Sequence, residues 1–164
     1  MARPSLLEPA PPLSTARSVA RAALGAMLLF TGISHLTFAR REFVAQVPQS
    51  IPLPDDVVVV LSGVAELAIG ASLVALPARR VPVGLATAAF FVAIFPGNVA
   101  QYVNGVSAFG LDSDGKRFAR LFFQPALVAW ALASTGAGAW LVDQELVSAG
   151  DSRDRGAPAP DARS

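Results

Sequence analysis

Four stretches of this chain, each about twenty residues or longer, are almost free of charge, and this pattern limits what the chain can fold into. They cover residues 17–38, 55–76, 81–103 and 117–142. At a rise of 1.5 Å per residue, each is long enough as a helix to cross a hydrocarbon layer of roughly 30 Å. A soluble domain carries charge at about a quarter of its positions. Here the charged fraction is 15%, the apolar fraction is 53% and the mean hydropathy is +0.50. The VVVV run at 57–60 favours a strand by local propensity. Residues 57–76 nevertheless hold a single charge, Glu66, which fits a spanning helix better. The expected fold is all-α: a four-helix transmembrane bundle, a polytopic membrane protein.

The segments between the spans carry the polarity. Residues 1–16 contain four prolines and read as a flexible leader. Arg17 and Arg21 before an apolar run would also suit a cleaved signal peptide, but the length of the run and the proline-rich leader favour a first span. The 39–54 connection contains three prolines, yet Phe43, Val44, Val47, Ile51 and Leu53 are apolar. It is expected to lie on the membrane surface or fold back over the helices. A tight turn, PARRVP, joins the second and third spans, and NGVSAFGLDSDGK joins the third and fourth. Residues 143–164 are charged and rich in Pro and Ala, and are expected to be a disordered tail. Thirteen basic residues divide eight to five in favour of the side that holds both termini. The positive-inside rule then predicts cytoplasmic N and C termini.

Composition removes several function classes. A net charge of +1 makes no case for nucleic-acid binding. The absence of cysteine excludes a thiolate nucleophile, a disulfide relay and a thiolate metal site built from this chain alone. With one histidine, His35, a metal site would need carboxylates beside it, and none is expected.

A polar side chain inside the membrane is costly unless it faces the interior, water or a partner. The candidates are few: His35, Glu66, Asn98, Gln101, Arg120 and Gln124. Counted at 1.5 Å per residue from the side opposite the termini, His35 lies ~5 Å deep, Asn98 ~8 Å, Gln124 ~10 Å and Glu66 ~16 Å, with Arg120 at the rim. All fall in one half of the bilayer, which predicts a polar pocket opening on that side with Glu66 at its floor. Ser62, Gly63, Glu66 and Gly70 share a helical face on which small residues admit a close neighbour. Pro96 should kink the third span and free a backbone carbonyl near Asn98. Each residue also has a plainer reading. Amides in spans often serve only to bond helices together, a terminal histidine or arginine often only anchors at the interface, and the FF pairs at 90–91 and 122–123 more often face lipid than a ligand.

GISHLTF at 32–38, VPQSIPLP at 47–54, SGVAELAIG at 62–70, FPGNVAQ at 95–101 and RLFFQP at 120–125 together resemble the DoxX type, the DoxX/DoxD-like group of four-helix bacterial membrane proteins. Leu36 departs from the aromatic that usually follows the histidine in that group. The resemblance implies a bacterial plasma membrane, association with membrane oxidoreductase subunits, and a quinone as a possible cofactor. It carries the group's polar positions onto His35, Glu66, Asn98, Arg120 and Gln124. It delivers no reaction, and the isolated chain is not expected to be an enzyme. The alternatives are a non-enzymatic scaffold whose polar cluster is structural and, third, a small-molecule permease.

Overall fold

The structure is a computed structural model and describes residue 6 and residues 8–156, with side chains described as far as residue 149. Among the described residues it is all-helical. The helices are α1 (Thr15–Leu36), α2 (Arg40–Val44), α3 (Asp55–Ala75), α4 (Arg80–Val103), α5 (Asp114–Leu121), α6 (Phe123–Thr135) and α7 (Ala137–Gly156). A 3-10 turn, Pro77–Arg79, links α3 to α4. Three segments are long and apolar enough to cross a membrane: α1, α3, and α4 with its preceding turn. Counting the bent run from α5 to α7 as one span makes four. Val19, Phe30, Leu61, Val64 and Val92 are all about half exposed or more, and such outward apolar faces suit lipid rather than water.

α1 packs against α3 and α6, and α4 packs against α6 and α3. The interior is formed by Leu24, Leu28, Leu73, Ala88, Phe91 and Ala131. The α1–α3 contact depends on two glycine pairs. A Cβ on Gly32 would stand 2.9 Å from the Gly63 carbonyl oxygen, and one on Gly70 would stand 2.8 Å from that of Gly25. Hydrogen is the only side chain that permits this approach, which is how helices gain dispersion energy where lipid offers no hydrophobic drive. Trp130 Nε1 donates to the Ala20 carbonyl at 3.0 Å and fixes α6 on α1.

Three expectations need correction. The fourth span does not run unbroken over 117–142. Pro125 has no N–H for the Leu121 carbonyl, and the helix is interrupted at Phe122. At Gly136, φ +75°, α6 ends and the chain turns by 80° into α7. Nor is residue 143 the start of disorder. The run DQELVSA has good helix formers and continues α7, which reaches Gly156; residues 157–164 lie outside the described residues. The leader, where described, is tied down: Ala10 N–H donates to Ala78 O at 3.0 Å, and Pro11 O accepts from Arg80 Nη2 at 2.9 Å. Residues 1–5 and 7 of the predicted leader lie outside the described residues.

Candidate functional site

The 39–54 connection folds over the helices. Arg40 grips Asp56 on α3 through two bonds of 2.7 and 2.6 Å, and this partner holds the Arg40 guanidinium above its usual range. Phe43 on α2 lays its ring on the His35 imidazole, with centroids 3.3 Å apart and planes within 17°. Glu42 Oε2 accepts the Phe109 N–H at 2.8 Å. That bond helps hold Phe109 at φ 55°, a left-handed conformation that a bulky side chain seldom adopts. The Phe109 ring meets Phe43 edge-on at 4.6 Å, and the Arg120 guanidinium lies 6.0 Å from the Phe109 ring centre. The two connections thus close over the helices as one roof.

Beneath the roof lies a cavity of about 760 Å³. That is within the ~300–1,000 Å³ typical of small-molecule sites. Leu28, Phe91, Ile94 and Leu127 supply apolar wall. Phe30, Phe38 and Phe123 also line it while being roughly two-thirds exposed, so its side mouth faces the surroundings of the helices through aromatic rings.

Two polar clusters enter this cavity. In the first, His35 Nδ1 stands 2.9 Å from Thr31 O and 3.0 Å from Glu66 Oε2. A carbonyl oxygen can only accept, so Nδ1 carries the proton and donates it to Thr31 O. Glu66 Oε2 lies off that N–H direction. It touches His35 Nδ1 at 3.0 Å outside hydrogen-bond geometry and meets no donor among the described residues, although it is sealed from solvent. In the α1–α3 register set by Gly32 and Gly63, the backbones of residues 35 and 66 are roughly 9 Å apart along the helix axis. Side chains tilt toward their own helix N-terminus, so on these antiparallel helices the two converge across that gap.

In the second cluster, Asn98 Nδ2 donates to Gln124 Oε1 at 2.9 Å, Arg120 Nε donates to Asn98 Oδ1 at 3.3 Å, and Gln124 Nε2 donates to the Phe91 carbonyl. Pro96, inside α4, leaves the Val92 carbonyl without its helical N–H. That carbonyl is the chain neighbour of the Phe91 carbonyl that Gln124 reaches, and α4 continues through Pro96 unbroken from Arg80 to Val103.

His35, Glu66, Asn98, Arg120 and Gln124 therefore share the walls of one cavity. Gln101 does not. It is buried outside the cavity, accepts from Gln46 Nε2 at 3.1 Å, and turns its own amide toward Val106 O at 3.4 Å and Ala108 O at 3.5 Å. Three residues from Asn98, it is rotated about 60° around α4 at 3.6 residues per turn. Sequence reasoning took Phe43 only as one of the apolar residues that fold the connection back, and missed Glu42, Gln46 and Phe109. Their one signal was the i,i+4 spacing of Glu42 and Gln46 beside an apolar Phe43. Among the described residues, no group of three or more His, Cys, Asp or Glu is placed to hold a metal ion.

No curated protein and no solved structure matches this chain. A family described as a domain of unknown function (DUF8561) matches residues 24–135, a stretch that contains every residue lining the cavity and all six candidate residues. By that match over more than half of its length, the chain belongs to the DUF8561 family.

Proposed function

We propose that the chain crosses a bacterial plasma membrane four times as a four-helix bundle, and that its cavity binds a lipid-soluble ligand with a hydroxyl- or carbonyl-bearing ring, of the quinol and quinone class. α5 and α6 form the fourth span in this reading, and both termini are cytoplasmic. The excess of basic residues beside the termini supports the orientation. The observation that carries the binding reading is Glu66. Its carboxyl is buried in the cavity wall, touches His35 at 3.0 Å, and keeps an oxygen without any donor. A buried acceptor left unmet costs about 1–3 kcal/mol, and a ligand hydroxyl would satisfy it. Arg120, Asn98 and Gln124 bring N–H donors to the other wall for a ring oxygen. The exposed Phe30, Phe38 and Phe123 suit entry from the lipid phase. The resemblance to the DoxX type supplies the redox setting. Electrons would come from partner oxidoreductase subunits, and the chain would hold the ligand rather than act as an enzyme alone.

The test is organic extraction of the full-length protein, purified in mild detergent, with mass spectrometry for quinones. A quinone retained by the wild type and lost from Glu66→Leu is expected. A wild-type protein that carries none and binds no added short-tail quinol contradicts the reading. A second reading, a structural scaffold, is favoured by the internal partners of Asn98, Gln124 and Arg120. It predicts the same stability losses with no ligand effect.

A further inference from the structure

Away from the cavity, the N-terminal ends of α1 and α4 meet the C-terminal end of α6, and arginines collect there. Arg17 and Arg21 lie one turn apart on α1, and both are near enough for their charges to act on that of Arg80 at the start of α4. None of the three joins an ion pair with a described residue, and no carboxylate is among the charges acting on Arg80. Like charges at i,i+4 repel, so an uncompensated cluster of this kind is unstable in isolation.

Arg80 is partly committed. It donates to the Thr135 carbonyl, which caps α6, and to Pro11 O at 2.9 Å. Arg21 is not. It is 8% exposed, and its Nε and Nη1 are sealed without a hydrogen-bond partner. Seven sealed side-chain polar atoms lack a partner among the described residues, and five belong to this end: Arg21 Nε and Nη1, Arg80 Nε, Ser134 Oγ and Trp140 Nε1. All five can donate a hydrogen bond, four of them being N–H groups that can only donate. A compound that completes this end must therefore be rich in acceptors and negatively charged.

We infer that Arg17, Arg21 and Arg80 form a binding site for the phosphate of an anionic phospholipid at the membrane face that holds the chain termini. Guanidinium groups pair with phosphate oxygens through parallel N–H bonds, and basic clefts between spanning helices take such headgroups. The site lies where a membrane-spanning α1 would meet the headgroups, so a lipid is the nearest source of phosphate. This rests on the membrane-spanning reading but is independent of what the cavity binds.

The test uses full-length protein in neutral detergent, with phosphatidylglycerol, phosphatidylcholine or inorganic phosphate added, reading Tm and lipid retention by native mass spectrometry. Phosphatidylglycerol should raise Tm and be retained, while phosphatidylcholine should not. Arg21→Met and Arg17→Gln should each weaken retention about fivefold, the equivalent of ~1 kcal/mol per basic residue at an anionic surface. Arg21→Lys should keep most of it. Arg40→Gln, which removes a charge at the other end, should leave retention unchanged. Arg17 is exposed, so its variant stays informative if Arg21→Met fails to fold. Equal effects of the two lipids, or undiminished retention in Arg17→Gln, would overturn the site. Protection by inorganic phosphate matching that of phosphatidylglycerol would overturn the lipid as its source.

Discussion

At the cavity end, Asn98, Gln124 and Arg120 give hydrogen bonds to one another and to backbone, whereas at the opposite end Arg21, Ser134 and Trp140 hold buried donors that nothing described in the chain accepts. The two ends share helices, and both are buried to a similar degree, so burial alone does not explain the contrast. What differs is the sign of the imbalance. The cavity wall is nearly self-sufficient, with one acceptor left over at Glu66 Oε2, so its complement is a small donor-bearing molecule. The arginine end has surplus donors and surplus positive charge, so its complement is an anion. Mutations at the two ends should therefore move stability in different directions.

The largest effect tests the helix contact that supports the cavity end. A Cβ at Gly63 would meet His35 Cβ at 2.8 Å, so Gly63→Leu should cost about 3 kcal/mol or more in detergent unfolding. A loss below ~1 kcal/mol would mean that α1 and α3 do not approach this closely.

Glu66→Leu should cost about 1 kcal/mol by removing the polar contact with His35 at 3.0 Å, a small loss because Oε2 gives up no hydrogen bond, while Glu66→Gln should fold nearly as well as the wild type. Next, Asn98→Leu and Gln124→Leu should couple. Their 2.9 Å bond predicts an interaction energy of about 0.5–3 kcal/mol in a double-mutant cycle. Additive losses would show that the cluster is not one network.

At the arginine end, Arg21→Met in neutral detergent without anionic lipid should be neutral or stabilising, because it removes an unpaired charge and two orphan donors. A loss as large as that of Glu66→Leu would erase the contrast between the ends. The smallest effect belongs to the exposed Asp112–Lys116 pair at 2.7 Å. The hydrogen bond from Lys116 holds the Asp112 carboxyl below its usual range. A lowered carboxylate pKa contributes stability above the unfolded value, ~3.9, which is lost as pH falls through the folded one. Asp112→Asn should lower stability slightly at neutral pH, flatten the acid limb of the profile, and match the wild type below the folded value, where the carboxyl is protonated in both states.

Helical class and the candidate polar residues were legible in the sequence because both follow from elementary costs. Long uncharged runs need internally bonded backbone in lipid, and a polar side chain there needs a reason. His35 was one of four partners open to Glu66, with Asn98, Arg120 and Gln124; depth counted along backbones could not single it out, since the two side chains tilt toward each other across about six residues of offset. The end of α6 was hidden because AST and AGAW around Gly136 look equally apolar on both sides. The stop comes from a left-handed glycine and from the Arg80 cap, 55 residues away in sequence. The roof residues Glu42, Phe43 and Phe109 owe their places to contacts between two connections, which local pattern does not encode.

The central claim, that the cavity takes a ring-bearing lipid-soluble ligand through Glu66, is tested most directly by calorimetric titration of a short-tail quinol into purified wild-type, Glu66→Gln and Glu66→Leu protein. Saturable binding to the wild type is expected, largely kept in Glu66→Gln, which retains an acceptor, and weakened about tenfold or more in Glu66→Leu, the equivalent of ~1.4 kcal/mol for a lost buried hydrogen bond. Binding that is absent from the wild type, or equally strong in Glu66→Leu, would contradict the account and leave the cavity cluster a structural one.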